Sequence, residues 1–349
     1  MIAVNSDATP QRSPLPIANH VPVIDIAALL HGARPERLRV AELIGNACKD
    51  MGFFAIVNHD VPRDLLARTF AVCGEFFALP IATKAEIAIE QSACHRGWFA
   101  VGSENLDPSK QTYAGDFKEG IKIGQDLPLN HRFVQDGVPL QGPNQWPGDP
   151  AAFTPTLREY FGVMSSLARR IVGAFALVLE LPEHHFDQYF TASMATASPL
   201  RYPPHSGEIT EAQLSAGAHT DYGAVTLLAQ DNVGGLQVRS AAGTWLDIPP
   251  VADAFVVNVG DMMARWTNGL FASTVHRVIN ASSRERYSIP FFFDPNHDAP
   301  VVALASCVTA DRPAQFAPTT AIDHLLERIN ASFSYRVEES RLAQQSCPE

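Results

Sequence analysis

The chain has 349 residues, of which 46% are hydrophobic and 18% are charged, and its formal net charge is −11. This length is enough to bury a sizeable core in one large domain or two modest ones. The charges are spread along the chain without a basic cluster, which argues against nucleic acid or an anionic membrane as a partner.

The first 20 residues are rich in Pro, Ser and Asn, and we predict that they are disordered. They lack a charged start followed by an apolar core, so no signal peptide is expected. No apolar run approaches the roughly 18–20 residues needed to span a bilayer. Five widely spaced cysteines without a CxxC pair indicate free thiols in a reducing compartment. The expected location is therefore the cytoplasm.

Residues 21–150 are predicted to form a mixed α/β N-terminal region. Strands are expected at "VPVIDIAALL" and "FFAIVNH", and helices at "RPERLRVAELIGNACKDMG" and "VPRDLLARTFAVCGEFFALP". In both helices the apolar residues recur at helical spacing, and proline or glycine stands at the ends. Residues 91–150 are rich in Gly and Pro and show little periodicity, so mainly loop structure is expected there.

Residues 151–335 are predicted to begin with a long helix and to continue as a β-rich core. The helix starts near Thr154 and Pro155, and its apolar stripe is Leu157, Phe161, Met164, Ala168, Ile171, Phe175 and Val178. After Pro199, nine short runs separated by turn residues favour a sandwich or barrel over βαβ units. "TAIDHLLERINASF" is predicted as a final helix, and residues 336–349 as a polar tail.

Two polar side chains stand at the start of a predicted buried strand in "GAHTDYGAVTLLAQDNVGGLQV". Strand side chains alternate, so His219 and Asp221 should project to the same face. A buried carboxylate is costly unless it is paired or bound to a metal. If the strand carrying His276 in "STVHRVIN" lies alongside, two imidazoles and one carboxylate meet. An HxD pair alone is usually not a metal site, and one more histidine is unremarkable among twelve.

The predicted set of two imidazoles and one carboxylate would occupy one face of an octahedral ion. Three coordination positions would remain for other ligands, which is the arrangement typical of non-haem Fe(II) oxygenases. A structural zinc site would instead be closed, usually by four ligands that include thiolate. The pattern therefore favours a catalytic iron site.

A guanidinium and a hydroxyl follow ten residues after His276. Arg286 and Ser288 lie two apart on the predicted strand "RYSIPFFFD" and should share a face. Such a pair can form a bidentate receptor for a carboxylate. Arg286 alone would be interpreted as an ion pair at the protein rim, but its place after the HxD…H pattern favours a carboxylate clamp.

The order of these motifs resembles the isopenicillin-N-synthase-like Fe(II)/2-oxoglutarate-dependent dioxygenases, which include plant gibberellin, flavonoid and aminocyclopropanecarboxylate oxidases. "VPVIDIAAL" and "MGFFAIVNHDVP" are similar to the family's N-terminal region. "LRYPP", "HTDYGAVTLLAQDNVGGLQV", "AFVVNVGDMMARWTNG", "STVHRV" and "RYSIPFFFDP" are similar to its core, in the same order. The resemblance implies an α+β fold with a double-stranded β-helix, or jelly roll, and N-terminal and supporting helices.

The resemblance also implies a role for each residue of the two motifs. His219, Asp221 and His276 match the family's iron ligands and catalytic centre. Arg286 and Ser288 match the pair that binds the distal carboxylate of 2-oxoglutarate.

Two further residues, Tyr202 and Asn258, fall on recurrent positions of the family. Tyr202 in "LRYPP" matches a tyrosine that often hydrogen-bonds the co-substrate, although it could also be a core aromatic. Asn258 matches an asparagine whose expected role is structural. Gly234 and Gly235 are predicted to form a turn.

The implied enzyme uses Fe(II), 2-oxoglutarate and O2, with ascorbate as a candidate reductant, to oxidise an unactivated C–H of a small molecule. Succinate and CO2 are the expected co-products, and hydroxylation, desaturation and ring closure all stay open. An iron oxidase of the same fold that does not consume 2-oxoglutarate is an alternative, because such enzymes share the Arg-x-Ser pair. An ethylene-forming reaction and a non-catalytic jelly-roll metal-binding module are further alternatives.

The resemblance also implies a substrate pocket built from the N-terminal region, the early core strands and the C-terminal helix. Its candidate residues are Phe117, Lys118, Ile121, Gln237 and Phe293. Lys118 could bind an acidic substrate or be an exposed surface lysine. The segment 103–124 is interpreted as a pocket wall or a lid, and the sequence indicates neither the substrate nor the oligomeric state.

Overall fold

The computed structural model describes residues 21–111, 115–205 and 209–338. The segment 1–20, predicted to be disordered, and residues 339–349 of the predicted polar tail lie outside the described residues. The first three residues of that predicted tail, 336–338, are helical.

The N-terminal region combines helices with strands that join the main sheet. Its elements are β1 (Val23–Asp25), α1 (Ala27–His31), α2 (Arg34–Asp50), β2 (Phe53–Val57), α3 (Arg63–Phe77), α4 (Ile81–Ala85), β3 (Gly97–Phe99), β4 (Glu119–Gly124) and α5 (Arg132–Gln135). The strand predicted at "FFAIVNH" and the two long helices predicted before residue 80 are confirmed. The strand predicted at "VPVIDIAALL" is confirmed only at Val23–Asp25, because its last residues begin the helix α1. Residues 91–150 contain β3 and β4, so the expectation of mainly loop structure there is wrong in part.

The rest of the described chain is one long helix followed by short strands and two shorter helices. The elements are α6 (Phe153–Val178), β5 (Thr196–Ala197), β6 (Leu200–Tyr202), β7 (Ala216–His219), β8 (Val225–Gln230), β9 (Leu236–Arg239), β10 (Trp245–Ile248), β11 (Phe255–Val259), α7 (Asp261–Trp266), β12 (His276–Val278), β13 (Arg286–Phe293), β14 (Pro300–Val301), β15 (Thr319–Thr320) and α8 (Ala321–Ser332). Short 3-10 turns lie at Ile89–Gln91, Asp187–Tyr189 and Ala305–Cys307.

Two sheets form the jelly roll. The larger runs β1-β2-β11-β8-β13-β5-β4-β3, with β6 paired to β13 and β4, and the smaller runs β10-β9-β12-β7. Apart from the parallel β1–β2 pair, the pairings within both sheets are antiparallel. Strands adjacent in the sheets are often far apart in sequence, as β8 and β13 are, which is expected for a double-stranded β-helix.

The helix α6 supports the larger sheet from outside. It packs against α2, α3, β8 and β13, and Leu157, Met164, Ile171 and Phe175 on its apolar stripe are fully buried. Truncating a buried phenylalanine such as Phe175 to alanine would cost about 3–5 kcal/mol.

The length and composition of α6 would also suit a membrane span, with half of its most apolar 18-residue window buried in the protein. The prediction that no segment approaches a span is therefore wrong for this helix. Core packing accounts for its apolar character.

The turn predicted at Gly234 and Gly235 joins β8 to β9. Both residues have positive φ, +86° and +90°, which favours glycine. A Cβ at Gly235 would lie 2.3 Å from the carbonyl oxygen of Ile279. The turn matters for the site because the Gly234 carbonyl accepts a hydrogen bond from Arg286 Nε at 2.6 Å.

Candidate metal centre and co-substrate pocket

The structure brings together the three predicted metal ligands. β7 ends at His219, and β12 begins at His276, which is its direct partner in the antiparallel pair. Asp221 follows two residues beyond the end of β7, so it lies in the loop and not on the strand as predicted. One donor atom from each side chain lies within 4.8 Å of the other two.

Both histidines present Nε2 to the shared point. Nδ1 of His219 contacts the carbonyl oxygen of Gly217 at 2.7 Å, and Nδ1 of His276 contacts that of Thr274 at 3.2 Å. Because a carbonyl only accepts, Nδ1 must carry the proton, and this leaves the Nε2 lone pair free in both rings. Hydrogen bonding of this kind fixes the tautomer that a metal ligand needs.

Asp221 is oriented by its own hydrogen bonds. Its Oδ2 accepts from Thr226 Oγ1 at 2.5 Å and from Asn258 Nδ2 at 2.7 Å. Its Oδ1 lies 3.7 Å from Nε2 of each histidine, too far for a hydrogen bond. The three donor atoms therefore face a common point rather than each other, and the donor set fits a divalent ion such as Fe(II).

The protonation states of His219 and Asp221 also suit a metal. Burial lowers the pKa of His219 to about 3, and the neighbouring His276 contributes to this lowering, so the ring is neutral near pH 7. Burial alone would raise the pKa of Asp221, but His276, His219 and the two hydrogen bonds to Oδ2 lower it. A carboxylate and a neutral imidazole are the forms that bind metals.

Arg286 is fully buried on β13 and donates hydrogen bonds to three neutral groups. Besides Gly234, its guanidinium donates to Ser288 Oγ at 3.2 Å and to Gln230 Oε1 at 3.1 Å. Within the described part of the chain, no carboxylate lies within 4.0 Å of it. A buried cation without an anionic partner is costly, so this geometry suits an anionic ligand.

Tyr202 completes this end of the site. It is paired with Arg286 across β6 and β13, and its ring centroid is 4.7 Å from the guanidinium carbon. Its hydroxyl accepts a hydrogen bond from Ser288 Oγ at 3.4 Å. The three predicted co-substrate residues are therefore in contact with one another.

One cavity connects the two groups. It lies between the sheets, and its empty space including the mouth is about 1220 Å³. Its wall includes His219, Asp221 and His276 at one place, and Tyr202, Arg286 and Ser288 at another. The cavity therefore joins the predicted metal ligands to the predicted co-substrate residues.

Of the five predicted substrate-pocket residues, only Lys118 lines this cavity. Ile121 and Phe293 are buried in the hydrophobic core, with Phe293 stacked on Phe190 at 4.6 Å between centroids. Phe117 packs against the His205 ring. Gln237 on β9 forms hydrogen bonds with Asp247 on β10 and with Arg277 on β12. The structure therefore places these four outside the cavity.

Strand alternation explains the two misplaced core residues. Arg286, Ser288, Pro290 and Phe292 share one face of β13 and all line the cavity, whereas Phe293 points to the opposite face. On β4 the cavity residue is Lys122, which is adjacent to Ile121. Because every second residue of a strand shares a face, the positions of Arg286 and Lys118 predict that Phe292 and Lys122 also face the cavity.

Lys118 is neither an exposed lysine nor a free one. Its Nζ forms ion pairs with Asp116 and with Glu104, the latter at 2.9 Å, and its side chain is 2% exposed. Asp116 is also held by Gln111 Nε2 at 2.6 Å and by the Gly217 amide at 2.9 Å. The network ties the described residues 103–111 and 115–124 to the start of β7, so these residues form a wall of the site.

Comparison with known proteins agrees with this geometry. Residues 21–149 match the sequence model described as the N-terminal region of non-haem dioxygenases in morphine synthesis. Residues 184–295 match the model of the 2OG-Fe(II) oxygenase superfamily. Together the two matches span most of the described chain.

Individual relatives match over nearly the full chain. The 2-oxoglutarate-Fe(II) type oxidoreductase hxnY of Emericella nidulans is 37% identical, covering 86% of this chain and 87% of the relative. Clavatol oxidase claD of Penicillium crustosum is 35% identical, covering 90% and 97%. A full-length Neurospora crassa protein, crystallised in complex with alpha-KG and thymine, has a TM-score of 0.78 and 30% identity, covering 89% and 96%.

Proposed function

The chain belongs to the 2OG-Fe(II) oxygenase superfamily, and on this basis we propose that His219, Asp221 and His276 hold the iron of its active site. The protein is an Fe(II)/2-oxoglutarate-dependent oxygenase that acts on a small molecule. The assignment of the iron ligands is supported by one observation above all: two Nε2 atoms and one Oδ1 atom converge while every other polar atom of these side chains is hydrogen-bonded.

We propose that Arg286, Ser288 and Tyr202 bind the C5 carboxylate of 2-oxoglutarate. The buried guanidinium supplies the charge, and the two hydroxyls supply further donors at the same place. Binding here would give the Arg286 cation the anionic partner that it lacks among the described side chains. The other end of the co-substrate would then point along the cavity toward the metal ligands.

The bound iron and co-substrate supply the oxidising chemistry, and the chain supplies position and a dry environment. The cavity wall between the two groups is largely apolar, with Leu200, Ala216, Leu228, Leu236 and Val278 among its members. An apolar wall excludes water from the reacting C–H and leaves the two charged groups to orient the co-substrate. Hydroxylation is the simplest outcome, and desaturation and ring closure are further outcomes of the same site.

Use of 2-oxoglutarate distinguishes this proposal from an iron oxidase that does not consume it. The names of several relatives specify 2-oxoglutarate dependence, and the Neurospora crassa protein was crystallised with alpha-KG. We therefore expect one succinate for each substrate molecule oxidised. A cytoplasmic location stays a prediction.

Anaerobic reconstitution tests the iron and co-substrate assignments together. Fe(II) and 2-oxoglutarate added to the protein should give a weak visible charge-transfer band, and air with substrate should give succinate. Asp221→Ala should lose the band and the succinate, because it removes the only carboxylate of the donor set. Asp247→Ala, the same change at an exposed site, should keep both. Substrate-dependent succinate release by Asp221→Ala at the wild-type rate would contradict the ligand assignment.

A further inference from the structure

A second lysine of the cavity wall, Lys122 on β4, is only weakly paired. Its side chain is 14% exposed, and its Nζ lies 3.8 Å from Glu104 Oε1. Glu104 is bound more closely by Lys118, at 2.9 Å. In the described residues Lys122 forms no other ion pair and makes no hydrogen bond. Its ammonium therefore retains donors for a ligand.

Aromatic rings surround the Lys122 ammonium. Its Nζ lies 5.4 Å from the ring centroid of Phe292, 5.5 Å from that of Phe333 and 5.7 Å from that of Phe99. Phe292 and Phe333 also line the cavity. These are cation–π contacts, and a ligand whose carboxylate reaches Lys122 can pack its ring against the Phe292 and Phe333 side chains in the cavity wall.

A second donor lies beside this group of rings. His95 lines the cavity and packs edge-on against Phe333, with 4.6 Å between centroids. Its Nδ1 is 2.6 Å from the hydroxyl of Tyr335, and Arg336 Nε donates to the same hydroxyl oxygen at 3.2 Å. The Tyr335 hydroxyl can therefore donate its proton to Nδ1, and in that arrangement the ring proton of His95 lies on Nε2. That buried Nε2–H has no hydrogen-bond partner among the described residues.

The same end of the cavity contains a further cationic group. Arg96 is buried and lines the cavity, and its hydrogen bonds are to the backbone carbonyls of Leu140, Cys94 and His95. No carboxylate of the described chain is paired with it. Burial lowers the pKa of His95 well below its usual value, and the nearby cations Lys122, Arg96 and Arg336 lower it further. The local field thus favours a negative charge.

We propose that the substrate is a small aromatic carboxylate, whose carboxylate is held by Lys122 Nζ and His95 Nε2–H and whose ring packs against Phe292 and Phe333. This inference rests on the proposed function, because it concerns the substrate end of the same cavity. Lys122 and His95 are positioning residues for the substrate. Arg286 keeps the co-substrate carboxylate at the other end.

A cationic substrate fits these contacts less well. Among the described residues Glu104 is the carboxylate within 4.0 Å of Lys122, and both Lys118 and Lys122 already neutralise it. An added cation would face two ammonium groups and the Arg96 guanidinium at short range. The charge of the ligands that bind therefore distinguishes an anionic substrate from a cationic one.

Benzoate, benzamide and benzamidine provide the probe, because they are planar, similar in size and differ mainly in charge. Saturating 2-oxoglutarate under anaerobic conditions keeps the Arg286 clamp occupied, and each ligand is titrated by its effect on the Fe(II) charge-transfer band. Benzoate should bind about ten- to a hundred-fold more tightly than benzamide, the range expected for one buried charge-assisted contact. Benzamidine should bind most weakly.

Variants of Lys122 assign this preference to one residue. Lys122→Met removes the charge at similar length and should bring the benzoate and benzamide affinities to within about twofold. Lys122→Arg, which keeps the charge, should retain the preference. A second measurement, the rise in melting temperature of the metal-free protein with 2-oxoglutarate and each ligand, should rank the ligands in the same order.

The outcomes separate this inference from the proposed function. If the band forms but benzamide or benzamidine binds as well as benzoate, the substrate proposal is overturned and the oxygenase assignment stands. A benzoate preference that persists in Lys122→Met overturns the role of Lys122. Failure of the band to form in the wild type would contradict the proposed iron site instead.

Discussion

Asn258 and Asp221 are joined by a hydrogen bond that leaves the metal-facing oxygen free. Asn258 Nδ2 donates to Asp221 Oδ2 at 2.7 Å, and Asp221 Oδ1 lies 3.7 Å from Nε2 of both His219 and His276. Asn258 lies on β11 of the larger sheet, whereas the histidines belong to the smaller one. The bond therefore fixes the carboxylate between the two sheets.

Replacing Asn258 should weaken iron binding without removing a ligand. In Asn258→Ala, the Asp221 carboxylate keeps only the Thr226 hydroxyl on Oδ2 and gains freedom to rotate. Loss of such a supporting hydrogen bond typically costs about 10–100-fold in metal affinity. Titration of Fe(II) at saturating 2-oxoglutarate measures it, with exposed Asn232→Ala as the matched control. An unchanged affinity would mean that Asn258 has no part in orienting Asp221.

Features that depend on residues close together in the sequence were predictable, whereas features that depend on contacts between distant residues were not. The helix α6 and the strands that follow it were predictable because each depends on local periodicity and turn residues. The clamp was predictable for the same reason, since Arg286 and Ser288 share one strand face. The family resemblance then supplied the pairing of distant strands.

The substrate end was not predictable from local pattern. Lys118 and Lys122 are both lysines on one face of a short segment, yet the first is paired twice and the second weakly. Only the folded structure brings Glu104 between them and places Phe333, from the other end of the chain, beside Lys122. Residue type and spacing cannot distinguish a structural ion pair from a free donor.

Removing Arg286 should affect co-substrate binding far more than iron binding. Arg286→Met removes the charge from the clamp, and loss of a buried charged hydrogen bond costs about 2–5 kcal/mol, or roughly 30- to several-thousand-fold in affinity. Titration of 2-oxoglutarate against the charge-transfer band measures this loss. Arg286→Lys, which keeps a charge but not the planar fork, should be intermediate.

Thermal unfolding gives an independent control for the same variant. 2-Oxoglutarate should raise the melting temperature of the wild type by mass action and leave that of Arg286→Met nearly unchanged. Without 2-oxoglutarate, Arg286→Met should be no less stable than the wild type, because it removes a buried cation that has no anionic partner among the described residues. A large loss of stability would indicate a structural role for Arg286.

The carboxyl of Asp294 should make stability depend on pH. Burial raises its pKa from 3.8 to about 7, opposed by a hydrogen bond from the Ala224 amide. The folded protein therefore binds this proton more tightly than the unfolded chain does. The resulting stability is fully present below about pH 4 and is lost as the pH rises through about 7.

Asp294→Asn mimics the protonated form and should remove this pH dependence. Relative to the wild type, the variant should gain stability between pH 4 and pH 8, by an amount on the order of a few kcal/mol. Urea unfolding of the metal-free proteins at both pH values measures the difference. A constant difference at the two pH values would show that the Asp294 carboxyl has the same pKa in the folded and the unfolded chain.

Lys118 and Lys122 should differ sharply in their effect on stability. Lys118→Met would leave the buried carboxylates of Asp116 and Glu104 without their closest cation, and breaking a buried pair costs about 3–5 kcal/mol. Lys122→Met would leave Glu104 still paired with Lys118 and should cost much less. Urea unfolding of the two variants at pH 7 measures both losses in the same background. Equal losses would indicate that Lys122 is as firmly built into the fold as Lys118, and would remove the physical reason for regarding its ammonium as available to a substrate.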